Sequence, residues 1–284
     1  MKPFAQAILK GISQVMLLGN EITGMLFLAG IFYNSWTMGI GAIAGVFTGT
    51  LTAKLFRHDA ADFNEGLYGY NGALVGLAVV CFFGFSPLSL AAASVGSHLS
   101  TLIAHGMLRR KWPPYTSPFI ASTWIVMAVL LAFGILPFQS APLPPATNLE
   151  ILPTVGKGIG QVMFQENTVS GIVFLTGILV ASRMAALYAF AGALLGAAIA
   201  LACSFPLSML NAGLFGFNAV LCGIAFSGGA WGRMILAAAA VVVSTFMVYG
   251  MIRAGLISLT SPFVVSTWFM LLIASFAQRR NKKQ

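Results

Sequence analysis

Few residues of this chain are equipped for chemistry, and those that are come in pairs. Gln14 and Gln161, Tyr70 and Phe217, and Thr116 and Thr260 each stand 144 or 147 positions apart, and Glu21 and Glu166 flank the paired Asn20 and Asn167. Amides, hydroxyls and aromatic faces exchange hydrogen bonds and stack; they do not move protons at neutral pH. An acid–base catalyst needs clustered ionisable groups, whereas the chain has six carboxylates and three histidines in 284 residues. The chemistry on offer is the reversible solvation of a neutral solute. An enzymatic reading is therefore set aside, and no cofactor or metal is called for.

The pairs belong to longer matches. Shifting the sequence by 147 aligns GISQVMLLGNEITGMLFLAGI (11–31) with GIGQVMFQENTVSGIVFLTGI (158–178), identical at 11 of 21 positions. The same shift places NEGLYGYNGALVG (64–76) on NAGLFGFNAVLCG (211–223), with 7 identities in 13. TSPFIASTW (116–124) meets TSPFVVSTW (260–268) at 7 of 9 positions with the shift reduced to 144, so a three-residue deletion separates the copies. Internal similarity at one fixed period marks a duplication.

The elements that must carry these motifs follow from composition. Hydrophobic residues make up 58% of the chain, charged residues 7%, and the mean hydropathy is +0.91. Soluble domains carry about 25% charged residues, so the solvent of this fold is lipid. At roughly 20 apolar residues per crossing, the length accommodates about ten spans. In the first half these lie near 22–36, 38–56, 66–84, 87–108 and 116–136, after a short apolar segment at 4–19.

The expected architecture is an all-α polytopic membrane protein, with one repeat at 1–140, a Pro-rich linker at 141–153 and a second repeat at 154–284. Five spans per half is an odd number, so the second copy enters from the opposite face. Two inverted five-helix repeats result, each with an additional half-membrane re-entrant helix, and a pore at the interface between them. Basic residues agree with cytoplasmic termini: Lys2, Lys10, Lys54, Arg57, Arg109, Arg110, Lys111, Arg183, Arg233, Arg279, Arg280, Lys282 and Lys283 fall on one side, with Lys157 and Arg253 dissenting. The net charge of +9 forms no stripe interleaved with aromatics, which argues against nucleic acid. No cleavable leader is evident, and Cys81, Cys203 and Cys222 read as small core residues.

Amides at membrane depth are costly, about 2–7 kcal/mol when unpaired, so Gln14 and Gln161 point either to a water-accessible axis or to an interhelical hydrogen bond. Pro118 and Pro262 disfavour helix at the preceding serines. Carbonyls upstream of them, beside Thr116 and Thr260, then lose helical partners and can line a pore. Tyr70 with Leu74, and Phe217 with Leu221, are i,i+4 pairs on one helix face and form a narrow slot. His58 reads as a loop residue, His98 and His105 as packed helix residues. Glu21 and Glu166 are the sole carboxylates placed for ion coupling, with local hydrogen bonding the expected role.

The motifs GxxQVM, GL(Y/F)G(Y/F)N and TSPFxxSTW resemble those of the urea transporter family, in both copies and in the same order over nearly the whole chain. The resemblance implies a channel-like protein of the plasma or inner membrane, surrounded by lipid. Each subunit of a homotrimer holds its own pore and passes urea in single file. It places Tyr70, Leu74, Phe217 and Leu221 along the filter and turns Gln14, Gln161, Thr116 and Thr260 toward the solute. Val15 and Val162 adjoin those glutamines in the lining, with Glu21 and Glu166 at its margin. Phe164 matches a family filter aromatic where the first copy has Leu17. The family's Leu-Pro before the Thr motif is replaced by Pro114 and Tyr115, or by Ser258 and Leu259. Urea is flat, neutral and rich in donors, so it needs acceptors more than charges. Rival readings are a channel for water, short amides or ammonia, and an ion-coupled transporter.

Overall fold

The computed structural model describes residues 2–139 and 143–281; Lys282, Lys283 and the first two residues of the expected linker lie outside the described residues, as do the side chains of Lys2, Arg279 and Arg280. Fourteen α-helices run through those residues, and none is extended into a strand. The first seven are α1 (Lys2–Gln14), α2 (Glu21–Asn34), α3 (Trp36–Leu55), α4 (Ala60–Asn64), α5 (Tyr70–Phe83), α6 (Pro87–Arg109) and α7 (Ser117–Ala132). The next seven are α8 (Ile151–Gly160, continued by a 3₁₀ turn, Gln161–Met163), α9 (Thr168–Ala181), α10 (Arg183–Ala202), α11 (Leu207–Asn211), α12 (Phe217–Ala225), α13 (Trp231–Arg253) and α14 (Ser261–Asn281). From α2 to α5 each helix starts 147 residues before its counterpart, and for α6 and α7 the offset is 144.

Local chemistry sets these boundaries. Asn20 and Asn167 cap α2 and α9, their Oδ1 atoms accepting from the amides of Thr23 at 2.9 Å and Ser170 at 3.1 Å. Ser35 and Ser182 end one helix and cap the next, which makes a sharp corner between successive helices. The span expected at 66–84 begins at Tyr70, because Gly66 takes a φ of +76° that a right-handed helix cannot continue. The linker is shorter than expected, since α8 opens at Ile151. Pro153 sits in its first turn, where the missing N–H has no helical partner to lose.

Four helices, α3, α6, α10 and α13, have the length and hydropathy to cross a membrane singly. The α8 segment and α9, bent by 71° at a short break, make a fifth crossing if taken as one span. The other apolar helices are shorter: α2, α5, α7 and α12 are each 16 residues or fewer, so the five crossings expected in each half are not all single full-length helices. Leu77, Val79 and Ala219 to Leu221, in α5 and α12, are fully enclosed by protein, so apolar composition there records burial among helices. Large apolar side chains such as Ile22, Phe47, Trp124, Phe190 and Phe246 face outward, while Ser97, Thr101, Ser122, Thr245 and Ser266 are buried. Apolar surface outside and hydroxyls within is the distribution a lipid solvent demands. Cys222 is a buried core residue, but Cys203, just past the end of α10, is exposed.

Across the middle, contacts are reciprocal. Thr23 Oγ1 donates to the Gly177 carbonyl at 2.7 Å and Ser170 Oγ to the Gly30 carbonyl at 2.8 Å. Phe27 and Phe174 meet edge to face at 5.2 Å. A Cβ at Gly30 would lie 2.7 Å from the Phe174 ring and one at Gly177 2.8 Å from the Phe27 ring, so each glycine makes room for the other helix's aromatic. The start of α2 therefore touches the end of α9 and the converse, which is an antiparallel crossing. Isologous contact of this kind is what a two-fold relation generates.

Candidate functional site: a threonine pair beneath an uncharged cavity

Two helix starts converge near the centre. Pro118 and Pro262 both occupy the first turns of their helices, α7 and α14. Just before them Thr116 Oγ1 and Thr260 Oγ1 lie 2.6 Å apart, both buried. Trp124 Nε1 donates to the Ile257 carbonyl at 3.1 Å and Trp268 Nε1 to the Pro113 carbonyl at 3.1 Å. These bonds hold the strand of main chain leading into each threonine against the opposite half.

A second pair of side chains pins those approaches from within each half. Asn71 Oδ1 accepts from the Phe119 amide at 3.0 Å and its Nδ2 donates to the Tyr115 carbonyl at 3.5 Å. Asn218 does the same with the Phe263 amide at 2.9 Å and the Leu259 carbonyl at 3.3 Å. Tyr115 and Leu259 have φ values of +43° and +46°, uncommon for residues with a Cβ. The asparagines bridge the backbone on both sides of that bend. Tyr70 adds its hydroxyl to the Tyr115 carbonyl. Pro114 and Ser258 carbonyls accept from the Ser117 and Ser261 hydroxyls, each at 2.7 Å. The expectation of carbonyls left free by the prolines is thus corrected: Pro114, Tyr115 and Ser258 each already accept two bonds from protein donors, and only Pro113, Ile257 and Leu259, with one donor each, keep a second lone pair for a solute.

Gln14 and Gln161 hold equivalent bonds, Gln14 Nε2 to the Glu65 carbonyl at 3.0 Å and Gln161 Nε2 to the Ala212 carbonyl at 3.1 Å. Each glutamine spends a donor on the turn ahead of α5 or α12 and keeps its Oε1 acceptor. Leu17 and Phe164 follow at φ values of +60° and +59°, three residues past their glutamines.

Thr260 forms part of the wall of a cavity of 720 Å³. Gln161, Val162, Phe164 and Phe217 line it, and Phe82 and Phe138 close it from the first half. The Phe164 ring stands edge-on to Phe82 at 5.8 Å and to Phe119 at 6.3 Å. Among the described residues, none that lines the cavity is charged. A polar floor under aromatic walls without ionic groups accepts a flat neutral donor and offers an ion nothing in exchange for its water.

A family profile described as urea transporter matches residues 5–275. The chain belongs to the urea transporter family. It is 30% identical over 303 residues to urea transporter 1 of Ovis aries, and 30% identical over 304 residues to that of Rattus norvegicus, in each case covering 96% of this chain and 77% of the relative.

Within this urea transporter family member, the sequence-chosen residues separate into two groups. Gln161, Val162, Phe164, Phe217 and Thr260 share the cavity, and Thr116 touches it through Thr260. Gln14, Val15, Leu17, Tyr70, Leu74 and Leu221 lie outside that lining; Val15, Leu74 and Leu221 are fully buried and Tyr70 is bound to Tyr115. Glu166 lines a separate cavity of 360 Å³ with Lys157, to which it is paired at 3.6 Å. Glu21 stands in the first turn of α2.

Several residues of the site were not singled out from sequence. Asn71 and Asn218 are printed in both copies of GL(Y/F)G(Y/F)N, so their identity across the repeat was the available signal. Phe119 is repeated as Phe263 in TSPF and carried the same signal; Phe82 and Phe138 carried none, being two among 23 phenylalanines.

Proposed function

We propose that the chain is a passive channel for urea, admitted between Phe164 and Phe217 and handed from Gln161 Oε1 to the Thr260–Thr116 hydroxyls. The observation that carries this reading is a 720 Å³ cavity with a threonine in its wall and no charged group among the described residues that line it. Family membership supplies urea as the solute. Urea brings four N–H bonds and one carbonyl; amide oxygens, hydroxyls and second lone pairs of carbonyls each return about 0.5–1.5 kcal/mol. The reciprocal threonine and tryptophan contacts, with the antiparallel crossing of α2 and α9, support halves that insert in opposite senses. Gln14, Val15, Leu17, Tyr70 and Leu74 of the first half, with Leu221 of the second, then face the continuation of the same path. Both termini are cytoplasmic, the bilayer is the plasma or inner membrane, and three subunits each carry a pore.

Stopped-flow light scattering on proteoliposomes tests this directly. Urea gradients are expected to relax well above the rate of empty vesicles, with acetamide, glycerol and water slower. Urea flux equal to that of empty vesicles overturns the reading, and uphill accumulation under an imposed proton or sodium gradient replaces the channel with coupled transport.

A further inference from the structure

The two halves lock their glutamine turns differently, and the second half does so through a residue of the first. In the first half Ser13 Oγ donates to the Leu18 carbonyl and accepts from the Asn20 amide at 3.0 Å. Its counterpart is Gly160, where a Cβ would collide with the Gln165 carbonyl. The side chain that takes over is Gln165, which replaces Leu18 at the equivalent position and is fully buried. Gln165 Nε2 donates to the Met163 carbonyl at 2.6 Å, and its Oε1 accepts from Asn34 Nδ2, at the end of α2, at 2.9 Å. Between those two anchors sits Phe164 with its left-handed backbone. Asn34 has Ala181 as its counterpart, so the first-half turn has no equivalent tie.

We propose that Gln165 is a positioning residue for the Phe164 wall of the cavity, with Asn34 as its anchor. The inference rests on the proposed channel. A ring fixed at both flanks discriminates solutes by one methyl group; a ring on a loosened turn yields. In fitted pockets a methyl-sized difference is worth about 10–200-fold. The measurement is the ratio of urea to N-methylurea flux in proteoliposomes for the intact protein, Gln165→Leu and Asn34→Ala. The ratio is expected to fall by about fivefold or more in Gln165→Leu, and in the same direction in Asn34→Ala, an exposed residue whose loss leaves the core intact. Ratios equal to that of the intact protein in both variants overturn the positioning role while its urea flux stands. Absence of urea flux in the intact protein overturns the channel reading instead.

A second, independent observation concerns three rings. His58, between α3 and α4, stacks on His105 of α6 at 3.8 Å and 7°, with Tyr68 at 5.0 Å and 6.1 Å from them. The repeat-equivalent residues Phe205, Tyr249 and Phe215 form the same figure, stacked at 3.8 Å and 13° with Phe215 at 5.3 Å and 6.4 Å. One trio can acquire charge and the other cannot. Around the first, Tyr68 OH reaches Asp62 Oδ2 and His105 Nδ1, each at 3.4 Å, and His98 is held by Thr52 at 3.1 Å. Asp59 caps α4, and Lys54 and Arg57 flank His58 in a shallow cavity. His58 Nδ1 is buried without a partner. Tyr68 lies in the turn that also presents the Glu65 carbonyl to Gln14 and leads into Tyr70, so displacing the stack moves two of the site's supports.

We infer that the imidazole stack is a pH-sensitive latch on the first-half end of the path. Burial, and then the facing His105, hold the His58 pKa below its ordinary value. A depressed histidine pKa means that the folded state favours the neutral ring. That stability is present above the ordinary value near 6.5 and is lost as pH falls. Urea flux through the intact protein is expected to drop as pH is lowered from about 7.5 to about 5.5. The variant His58→Phe with His105→Tyr, which installs the second half's own rings, is expected to flatten that profile. Thermal unfolding across the same range supplies a readout without transport: the intact protein should lose more stability on acidification than the double variant. A flat profile of flux and stability in the intact protein, or an unchanged slope in the variant, overturns the latch.

Discussion

Thr116 and Thr260 share one short hydrogen bond, so neither acts alone. Removing one hydroxyl leaves the other buried without its partner, at about 1–3 kcal/mol, and takes one acceptor from the path. Thr116→Val and Thr260→Val are each expected to slow urea flux severalfold while the protein stays folded, and the double variant to be little slower than either, as coupled neighbours are. Stopped-flow rates for the set, with thermal unfolding as control, decide it; multiplicative losses, or unchanged rates in both single variants, remove the pair from the site. Asn71→Ala strands the buried Phe119 amide, so a loss of about 1–3 kcal/mol and a lower unfolding temperature are expected, with Asn218→Ala matching it. Sequence made the threonines legible because polar identity in both copies stood out against an apolar background. It left the asparagines' role dark, since the same letters fit a cap, a ligand or a clamp until the partners at Tyr115 and Phe119 are brought close. The asymmetry of the cavity was legible only as Leu17 standing opposite Phe164 in the repeat, not as the set of rings that meet there. It depends on which rings meet in space: Phe164 packs on Phe82, from α5 of the first half, and Phe82 in turn stacks on Phe138.

At the scale of elements, helices with few side chains at their contacts can bring main chain against main chain. In α3 and α5, a Cβ added at Gly41 would lie 2.8 Å from the Gly76 carbonyl, and Cβ atoms at Gly45 and Gly76 would strike the backbone of the opposite helix outright. Such packing lets α5, only 14 residues long, sit wholly inside protein. Gly76→Ala is expected to destabilise by about 1–3 kcal/mol through overpacking, read as a lower unfolding temperature in detergent, whereas Gly250→Ala, with open space around it, should change nothing or slightly stabilise α13. Equal effects at the two positions would mean that the α3–α5 contact is looser than drawn. Hydropathy located every helix that carries the site but not its length, because a helix buried in protein and one facing lipid are equally apolar. What made α5 start late was Gly66 and its positive φ, a conformational fact that composition does not encode.

For the whole molecule, the decisive property is the sense in which each half crosses the bilayer. Reciprocal bonds such as Thr23 to Gly177 and Ser170 to Gly30 are those that a two-fold axis lying across the antiparallel pair α2 and α9 would generate. If those helices traverse the membrane, such an axis lies in its plane and exchanges the two faces. Cys203 and Phe56 are repeat-equivalent, exposed, and end their helices α10 and α3, which makes them a matched pair of reporters. With cytoplasmic termini, a membrane-impermeant maleimide applied to intact cells should label Cys203 in the native chain. It should leave Phe56→Cys unlabelled in a Cys203→Ser background until the membrane is opened. Cys81 is mostly enclosed and Cys222 is buried, so Cys203→Ser alone gives the blank. Labelling of both reporters from the same face would place the halves in parallel, and a single path running from Gln161 through the threonine pair to Gln14 could not then be built from them.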